Sequence, residues 1–326
     1  MSFRPPNRAV LVALAAVLMA FAAAGCGRDD SSDNVANTTG DQISGDVIAD
    51  GSSTVGPLTT AAAEAYREIQ PGVNVEVGIS GTGGGFERFC AGETDLSDAS
   101  RPIKDDEEAP LCEEAGIVYT DFQVAMDALT VVVNTDNDWV DCLTVEQLAK
   151  IWGPDAEGTI TNWNQVDPSY PDQELTLSGP GTDSGTFDYF TGVINGEEGA
   201  SRSDYAASED DNTIVTGVSG EKGGLGYFGF SYFEENQDTL KALEIDGGDG
   251  CVAPSVASAQ NGTYKPLSRP LFIYAKKDAV ARPEVEAFLR FLLENEQSIA
   301  ETSQFVPLTD EQLTKAKADL DAATGT

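Results

Sequence analysis

The sequence predicts an α/β fold. Two observations carry that prediction. Strand-like and helix-like segments alternate from Asp46 onward, and three strand-like segments run into turns rich in Ser, Thr and Gly that lead into helices: DGSSTVGP, GISGTGGG and GPGTDSGT. Alternation of this kind gives mostly parallel sheet, with ligands at the carboxyl ends of the strands. A hydrophobic content of 40% over 326 residues is that of a globular protein, with material for one large domain or two ordinary ones.

Along the chain, a short apolar strand begins at Asp46 and turns at Gly51-Ser52-Ser53-Thr54, and an Ala-rich helix begins near Pro57, a residue suited to a first helical turn. VNVEVGIS (residues 73–80) alternates as a strand does, and GTGGGFERF turns into a second helix. After DLSDAS and RPI comes an acidic, helix-like segment, then ALTVVVN (residues 128–134), a β-branched run suited to a buried strand. TVEQLAKIW is a helix capped at Thr144. LTLSGPGTDSGTFDYFTGVI repeats the strand–loop–helix form, and GGLGYFGFSYF combines a turn with an aromatic strand or helix start. RPLFIYAKK is a further buried strand, and PEVEAFLRFLLENEQSIA is an amphipathic helix. No internal repeat is evident.

The N-terminus is a separate object. Arg4 and Arg8 precede an apolar run over residues 9–24 that ends in small residues, the pattern of a secretory signal over residues 1–25. The run is short for a bilayer span. AAGC (residues 23–26) resembles a bacterial lipobox, which makes Cys26 the lipidated first residue of the mature chain, although Ala23 stands where Leu is commonest. The competing reading is an ordinary cleaved signal followed by a chance cysteine. Residues 26–43 are polar and form a tether.

Of five cysteines, removing Cys26 leaves Cys90, Cys112, Cys142 and Cys251, an even set that in an exported protein suggests two disulfides with three possible pairings. A metal site is disfavoured, because the chain has no histidine and no CxxC. The formal net charge of -36 argues against nucleic-acid binding and suits a solvated acidic surface. Without histidine there is no imidazole base for a Ser-His-Asp or Cys-His system. No lysine follows Gly83 to Gly85, so a Walker loop lacks its cation, and a dinucleotide fingerprint is not properly spaced. Asp183-Ser184-Gly185-Thr186 spells the DSGT of an aspartic protease, but no second such motif supplies the partner carboxylate. Three Ser/Thr/Gly turns entering helices instead describe an anion cradle. Arg101, beside Ser100 in DASRPI, is its candidate cation, making bidentate contact with a tetrahedral oxyanion, whereas Arg202 in GASRSDY is expected to be structural.

Over about residues 46–308 the motifs together resemble the phosphate-binding lipoproteins and periplasmic proteins of the Pst phosphate ABC importer. The likeness is carried by DGSSTVGPL, GISGTGGGFERFCAGETDLSDASRPI, LTVVVNTDNDWVDCLTVEQLAKIWGP, TNWNQV, GPGTDSGTFDYF, SEDDN, GGLGYFGFSYF and LSRPLFIY. The resemblance implies a type II periplasmic-binding-protein fold, two α/β lobes joined by hinge strands and closing on one dehydrated phosphate. Lobe one is expected over residues 44–128 and 268–326 and lobe two over residues 129–267, with crossings near Ala128 and Leu267 to Leu271. That partition favours the disulfides Cys90–Cys112 and Cys142–Cys251, each within one lobe.

By the same resemblance the ligand set is Ser53 and Thr54 with the Val55 amide, Ser80 and Thr82, Ser100 and Arg101, and Ser184, Gly185 and Thr186. Two departures stand out. Many members have an aspartate after the serine of the third loop, where this chain has Ser100-Arg101, and an arginine where this chain has Pro180. The acceptor for the proton of hydrogen phosphate is thereby left open between Asp98 and Asp183. The implied function is phosphate binding on the outer face of the cytoplasmic membrane (periplasmic in a Gram-negative cell) and delivery to the permease, with no bond made or broken. No cofactor is expected. The partners are inorganic phosphate, the permease subunits and the membrane through the N-terminal lipid, and the protein is expected to be a monomer. A phosphate-sensing or adhesion lipoprotein of the same fold is the competing reading.

Overall fold

The computed structural model describes residues 43–325; the expected signal segment, Cys26 and the tether up to residue 42 lie outside the described residues. The fold begins with strand β1 (Gly45–Gly51), helix α1 (Gly56–Ile69), strand β2 (Val73–Ile79), helix α2 (Gly81–Cys90) and strand β3 (Leu96–Ala99). β2 and β3 both pair with β1 in parallel. α1 buries Leu58, Ala62 and Tyr66 against the first core, which also holds Val47, Leu96 and Phe288. The glycines of GTGGG are the first turns of α2 rather than a turn before it. Close packing explains the last of them, Gly85. A Cβ on Gly85 would lie 2.5 Å from the Gly51 Cα and 3.1 Å from the Asp50 carbonyl oxygen.

Helix α3 (Ala109–Glu114) leads into strand β4 (Tyr119–Asn134), which is 16 residues long and starts well before the β-branched run that marks it in the sequence. There follow β5 (Cys142–Thr144), helices α4 (Val145–Trp152) and α5 (Trp163–Val166), β6 (Thr176–Gly179) and helix α6 (Gly185–Asn195). Then come β7 (Ala206–Ala207), helix α7 (Asp211–Gly220), β8 (Gly224–Gly229), β9 (Leu240–Ala242), β10 (Glu244–Asp246), β11 (Cys251–Val252) and β12 (Ser268–Lys276). Thr144 caps α4 in a reciprocal capping box with Gln147.

The large sheet runs β2-β1-β3-β12-β4-β8-β6-β7, with β9 also on β4, and β11-β10-β5 form a small second sheet. It is mixed, not mostly parallel, because β12 returns from the second half of the chain and inserts antiparallel between β3 and β4. β4 also pairs antiparallel with β8 and β9. Ser268 of β12 lies opposite Ala128 of β4, and the Leu129 amide donates to the Leu267 carbonyl at 2.9 Å.

Buried apolar residues gather on either side of that point. Val47, Leu58, Phe122, Ile273, Phe288 and Leu292 belong to the first core. Leu129, Trp152, Trp163, Phe190, Tyr227 and Leu267 belong to the second. Met126, Ala128, Phe230, Ala259 and Val306 form a small cluster where the two meet. The Cys90–Cys112 disulfide joins α2 to α3, and Cys142–Cys251 joins β5 to β11. The amphipathic segment near the C-terminus is two helices, Pro283–Glu294 and Glu296–Thr302. The break falls at Asn295, a weak helix former whose side chain bonds back to the Phe291 carbonyl.

Gly85→Ala places a methyl group against backbone that cannot rotate away. It is expected to cost about 1–3 kcal/mol of stability, the usual penalty of overpacking, with α2 pushed off the end of β1. Urea unfolding of the variant beside the native protein measures this.

Candidate anion-binding cleft

The turns after β1, β2 and β3 and the first turns of α6 face one another across a cavity of about 710 Å³. Ser53, Thr54, Ser80, Thr82, Ser100, Arg101 and Gly185 all line it. β1 ends at Gly51, whose φ of +147° and position over Asp98 admit no side chain: a Cβ would lie 2.1 Å from the Asp98 carbonyl oxygen. In the next turn Ser52 Oγ accepts from the Thr54 amide at 3.1 Å and from the Val55 amide at 3.4 Å. The Val55 amide is therefore already engaged. The Thr54 hydroxyl accepts from Arg269 Nη2 at 3.0 Å.

Ser80 is the N-cap of α2, yet its side chain caps no amide of that helix; its hydroxyl donates to Asp50 Oδ1 at 2.5 Å. The first turn of α2 thus enters the cleft wall without a side-chain cap, and unpaired first-turn amides favour an anion. Thr82 Oγ1 and Ser100 Oγ are 3.0 Å apart, and the Ser100 amide donates to Thr82 Oγ1 at 3.3 Å. Arg101 reaches the cleft, but both of its Nη atoms bond Glu108, at 2.8 and 2.6 Å. Across the cleft α6 packs so tightly that a Cβ on Gly185 would stand 2.8 Å from Thr54 Oγ1.

Ser184 and Thr186 are absent from the lining. The Ser184 hydroxyl caps α6 by accepting from the Thr186 amide at 3.2 Å, which leaves Gly185 as the residue of that motif bordering the cleft. Arg202 is structural: it is 4% exposed and donates to the Ile151 and Ile160 carbonyls and to Asp204. Neither candidate proton acceptor lines the cavity. Asp183 is exposed, and Asp98 is fully buried behind the loops, where it accepts from the Thr59 hydroxyl at 2.9 Å.

Arg269 is the cleft-lining cation that sequence reasoning passed over. It comes from β12, far along the chain from the glycine-rich loops, and lines the same cavity. Its Nε donates to Asp127 at 3.1 Å, and its guanidinium lies 3.6 Å from the centre of the Tyr189 ring on α6. The signal lay in the motif LSRPLFIY: an arginine set into an apolar strand needs a partner or a ligand. Carboxylates border the cleft as well, at Asp188, Glu197 and Glu198. Burial and then Glu198 push the Asp188 carboxyl up, with Arg269 opposing them.

Comparison with known proteins assigns the chain to a family. Residues 36–296 match the PBP superfamily domain. The chain belongs to the PBP superfamily. It is 51% identical over 271 residues to protein SphX of Synechococcus elongatus, covering 83% of this chain and 80% of that one. It is 40% identical over 285 residues to the phosphate-binding protein PstS of Staphylococcus saprophyticus, covering 86% of each chain. Among solved structures, that of a possible phosphate binding protein from Planctomyces limnophilus superposes with a TM-score of 0.82 at 46% identity, covering 86% of this chain and 99% of that one.

Within this PBP-superfamily fold Asp98 has a stability role. Burial pushes its carboxyl up to about 7, against the downward pull of the Thr59 hydrogen bond, and Oδ2 has no partner among the described residues. The folded state therefore keeps a proton that the unfolded chain releases near its ordinary value of 3.8. This contribution to stability is full below about pH 4 and is lost as the pH rises through about 7. Asp98→Asn, which cannot ionise, is expected to remove that decline. Melting temperatures from pH 4.5 to 8 for both proteins test it: a slope equal to the native one shows that Asp98 does not titrate in this window.

Proposed function

We propose that this protein binds inorganic phosphate outside the cytoplasmic membrane and hands it to the permease of an ABC importer, making and breaking no bond. The observation that carries this reading is the convergence of hydroxyls, two arginines and the uncapped first turn of α2 on a single cleft. The PstS relative, 40% identical over 86% of this chain, is named as a phosphate-binding protein and supports the same reading.

The ligand set proposed is Ser53, Thr54, Ser80, Thr82, Ser100 and Arg101, with the start of α6 at Gly185 and with Arg269 added. Ser184 and Thr186 serve it indirectly, by shaping the first turn of α6. Residues 44–128 and 268–326 make one lobe and residues 129–267 the other, and the β4–β12 pair is the hinge. Ligands in the first lobe and Gly185 in the second touch the same anion, so binding favours the closed arrangement. Cys26 carries the lipid, and residues 26–43 link it to the folded body. The protein acts as a monomer. Among the described residues no helix is long and apolar enough to cross a membrane.

Calorimetric titration of the full chain in detergent with phosphate tests the reading. A saturating heat and a raised melting temperature are expected; the absence of both overturns it. Arg269→Ala and Arg101→Ala are each expected to weaken binding by about 1.5–3 kcal/mol, the range for a hydrogen bond to a charged group. Unchanged affinity in either variant removes that arginine from the site.

A further inference from the structure

We propose that Glu108 is a positioning residue for the anion site: it fixes the Arg101 guanidinium so that the one edge left free, Nε–H with the second Nη2–H, meets the ligand. The proposal rests on the phosphate-binding reading and adds to it a residue outside the cleft lining. An arginine carries five N–H donors in a rigid plane. In Arg101 three of them are taken. One Nη1–H and one Nη2–H go to the two Glu108 carboxylate oxygens, at 2.8 and 2.6 Å, and the Pro102 carbonyl accepts from Nη1 at 3.1 Å. The carboxylate grips the terminal edge of the fork, so the Nε–H and the remaining Nη2–H lie side by side on the lateral edge. Two N–H groups so placed match two oxygens of a tetrahedral oxyanion.

The guanidinium stands at the cleft wall. A Cβ on Gly83, a cleft-lining residue of α2, would lie 3.8 Å from both Arg101 Nη2 and Glu108 Oε1. The Glu108 hydrogen bond first, and the charge of Glu198 on the cavity wall among lesser causes, hold the Arg101 pKa above its ordinary value against partial burial. Glu108 is itself firmly set. It is 7% exposed, and the Lys104 amide donates to its Oε2 at 3.0 Å. It immediately precedes α3, which the Cys90–Cys112 disulfide ties to α2, and Cys90 Sγ lies 3.7 Å from its carbonyl oxygen. The fully buried Phe86 ring lies beneath the arginine, with Cζ 5.8 Å from the ring centre.

Orientation and charge act here with opposite signs. By charge alone a carboxylate near an anion site repels the anion, so its removal tightens binding. A carboxylate that orients the arginine has the reverse effect: its removal loosens binding although a negative charge is lost. The same removal made without Arg101 leaves only the repulsion to relieve, so the effect of Glu108 changes sign with the arginine it acts through.

Phosphate titrations of the full chain in detergent at pH 7.5 compare the native protein with Glu108→Gln, Arg101→Ala, Arg101→Lys and the double variant Glu108→Gln/Arg101→Ala. Circular dichroism confirms the fold of each. Glu108→Gln sets an amide donor against a guanidinium donor and breaks the fork, and Arg101→Lys keeps the charge but has no edge. Each is expected to weaken phosphate binding by about fivefold or more. In the Arg101→Ala background Glu108→Gln is expected to tighten binding. Unchanged or tighter binding in Glu108→Gln alone overturns the proposal. So does native affinity in Arg101→Lys, or an equal loss from Glu108→Gln in both backgrounds, which assigns Glu108 to the fold instead. Should Glu108→Gln not fold, Glu108→Asp, which keeps the charge a methylene short of the fork, is expected to weaken binding only where Arg101 is present; native affinity there overturns the proposal. A native protein that binds no phosphate overturns the functional reading itself.

Discussion

Both arginines that line the cleft are matched by a carboxylate, Arg269 by Asp127 and Arg101 by Glu108, and this pairing sets the terms for the site. In a chain with a formal net charge of -36, an anion cannot be drawn in by a surplus of cations. Burial pushes the Asp127 carboxyl up against the pull of Arg269, so the desolvation of this pair offsets part of its attraction. The advantage of such pairing is orientation. Arg101 is held by both Nη atoms, and Arg269 is held by Asp127, Thr54 and the Tyr189 ring. The remaining attraction comes from helix ends and hydroxyls, which act at contact range. The acidic surface is screened over roughly 8 Å at physiological salt, so it bears on solubility more than on the cleft.

The architecture was legible where it depends on neighbours in sequence. Alternating apolar residues mark β2, the β-branched run marks the far half of β4, and Thr144 with Gln147 marks the start of α4. Two things were not local. The direction of β12 depends on which strands flank it, and its partners Ala99 and Ala128 lie far back in the chain. The first half of β4, residues such as Thr120, Asp121 and Gln123, carries too much polarity to read as a strand and is extended by pairing with β12. Within the site, the loops after β1, β2 and β3 declared themselves by composition. Arg269 did not, because one arginine in an apolar strand acquires meaning only when folding sets it beside Thr54 and Tyr189. The GTDSGT motif was visible as a helix start, but which of its atoms turns outward depends on the cap that Ser184 makes.

Under the proposed two-lobe division each disulfide fastens one lobe, and neither spans the β4–β12 join. Cys90 and Cys112 sit with Phe86, Phe89 and Tyr274 in a cluster beside the first core, so this bridge fixes α2, whose first turn forms one cleft wall. Cys142 and Cys251 fasten the small second sheet. Between these regions the chain continues through β4 and β12, with the small cluster around Met126 and Ala128 at the join. A long antiparallel pair can change its twist without breaking its ladder, whereas a disulfide spanning the join would resist any such change. Under the proposed closure, such a frame lets each wall keep its own geometry.

The departure at Pro180 gains a physical account in this frame. Proline there leaves no guanidinium on the loop that enters α6, and its carbonyl accepts from the Tyr205 hydroxyl at 2.7 Å. A guanidinium nevertheless lies against α6, stacked 3.6 Å from the centre of the Tyr189 ring, and it is delivered by β12. Because β12 pairs with both β3 and β4, Arg269 starts from the join and touches Thr54 on one wall and Tyr189 on the other. An arginine on the loop before α6 would belong to one wall alone. One placed at the join contacts both walls, and under the proposed hinge this ties the charge of the site to the element about which closure turns.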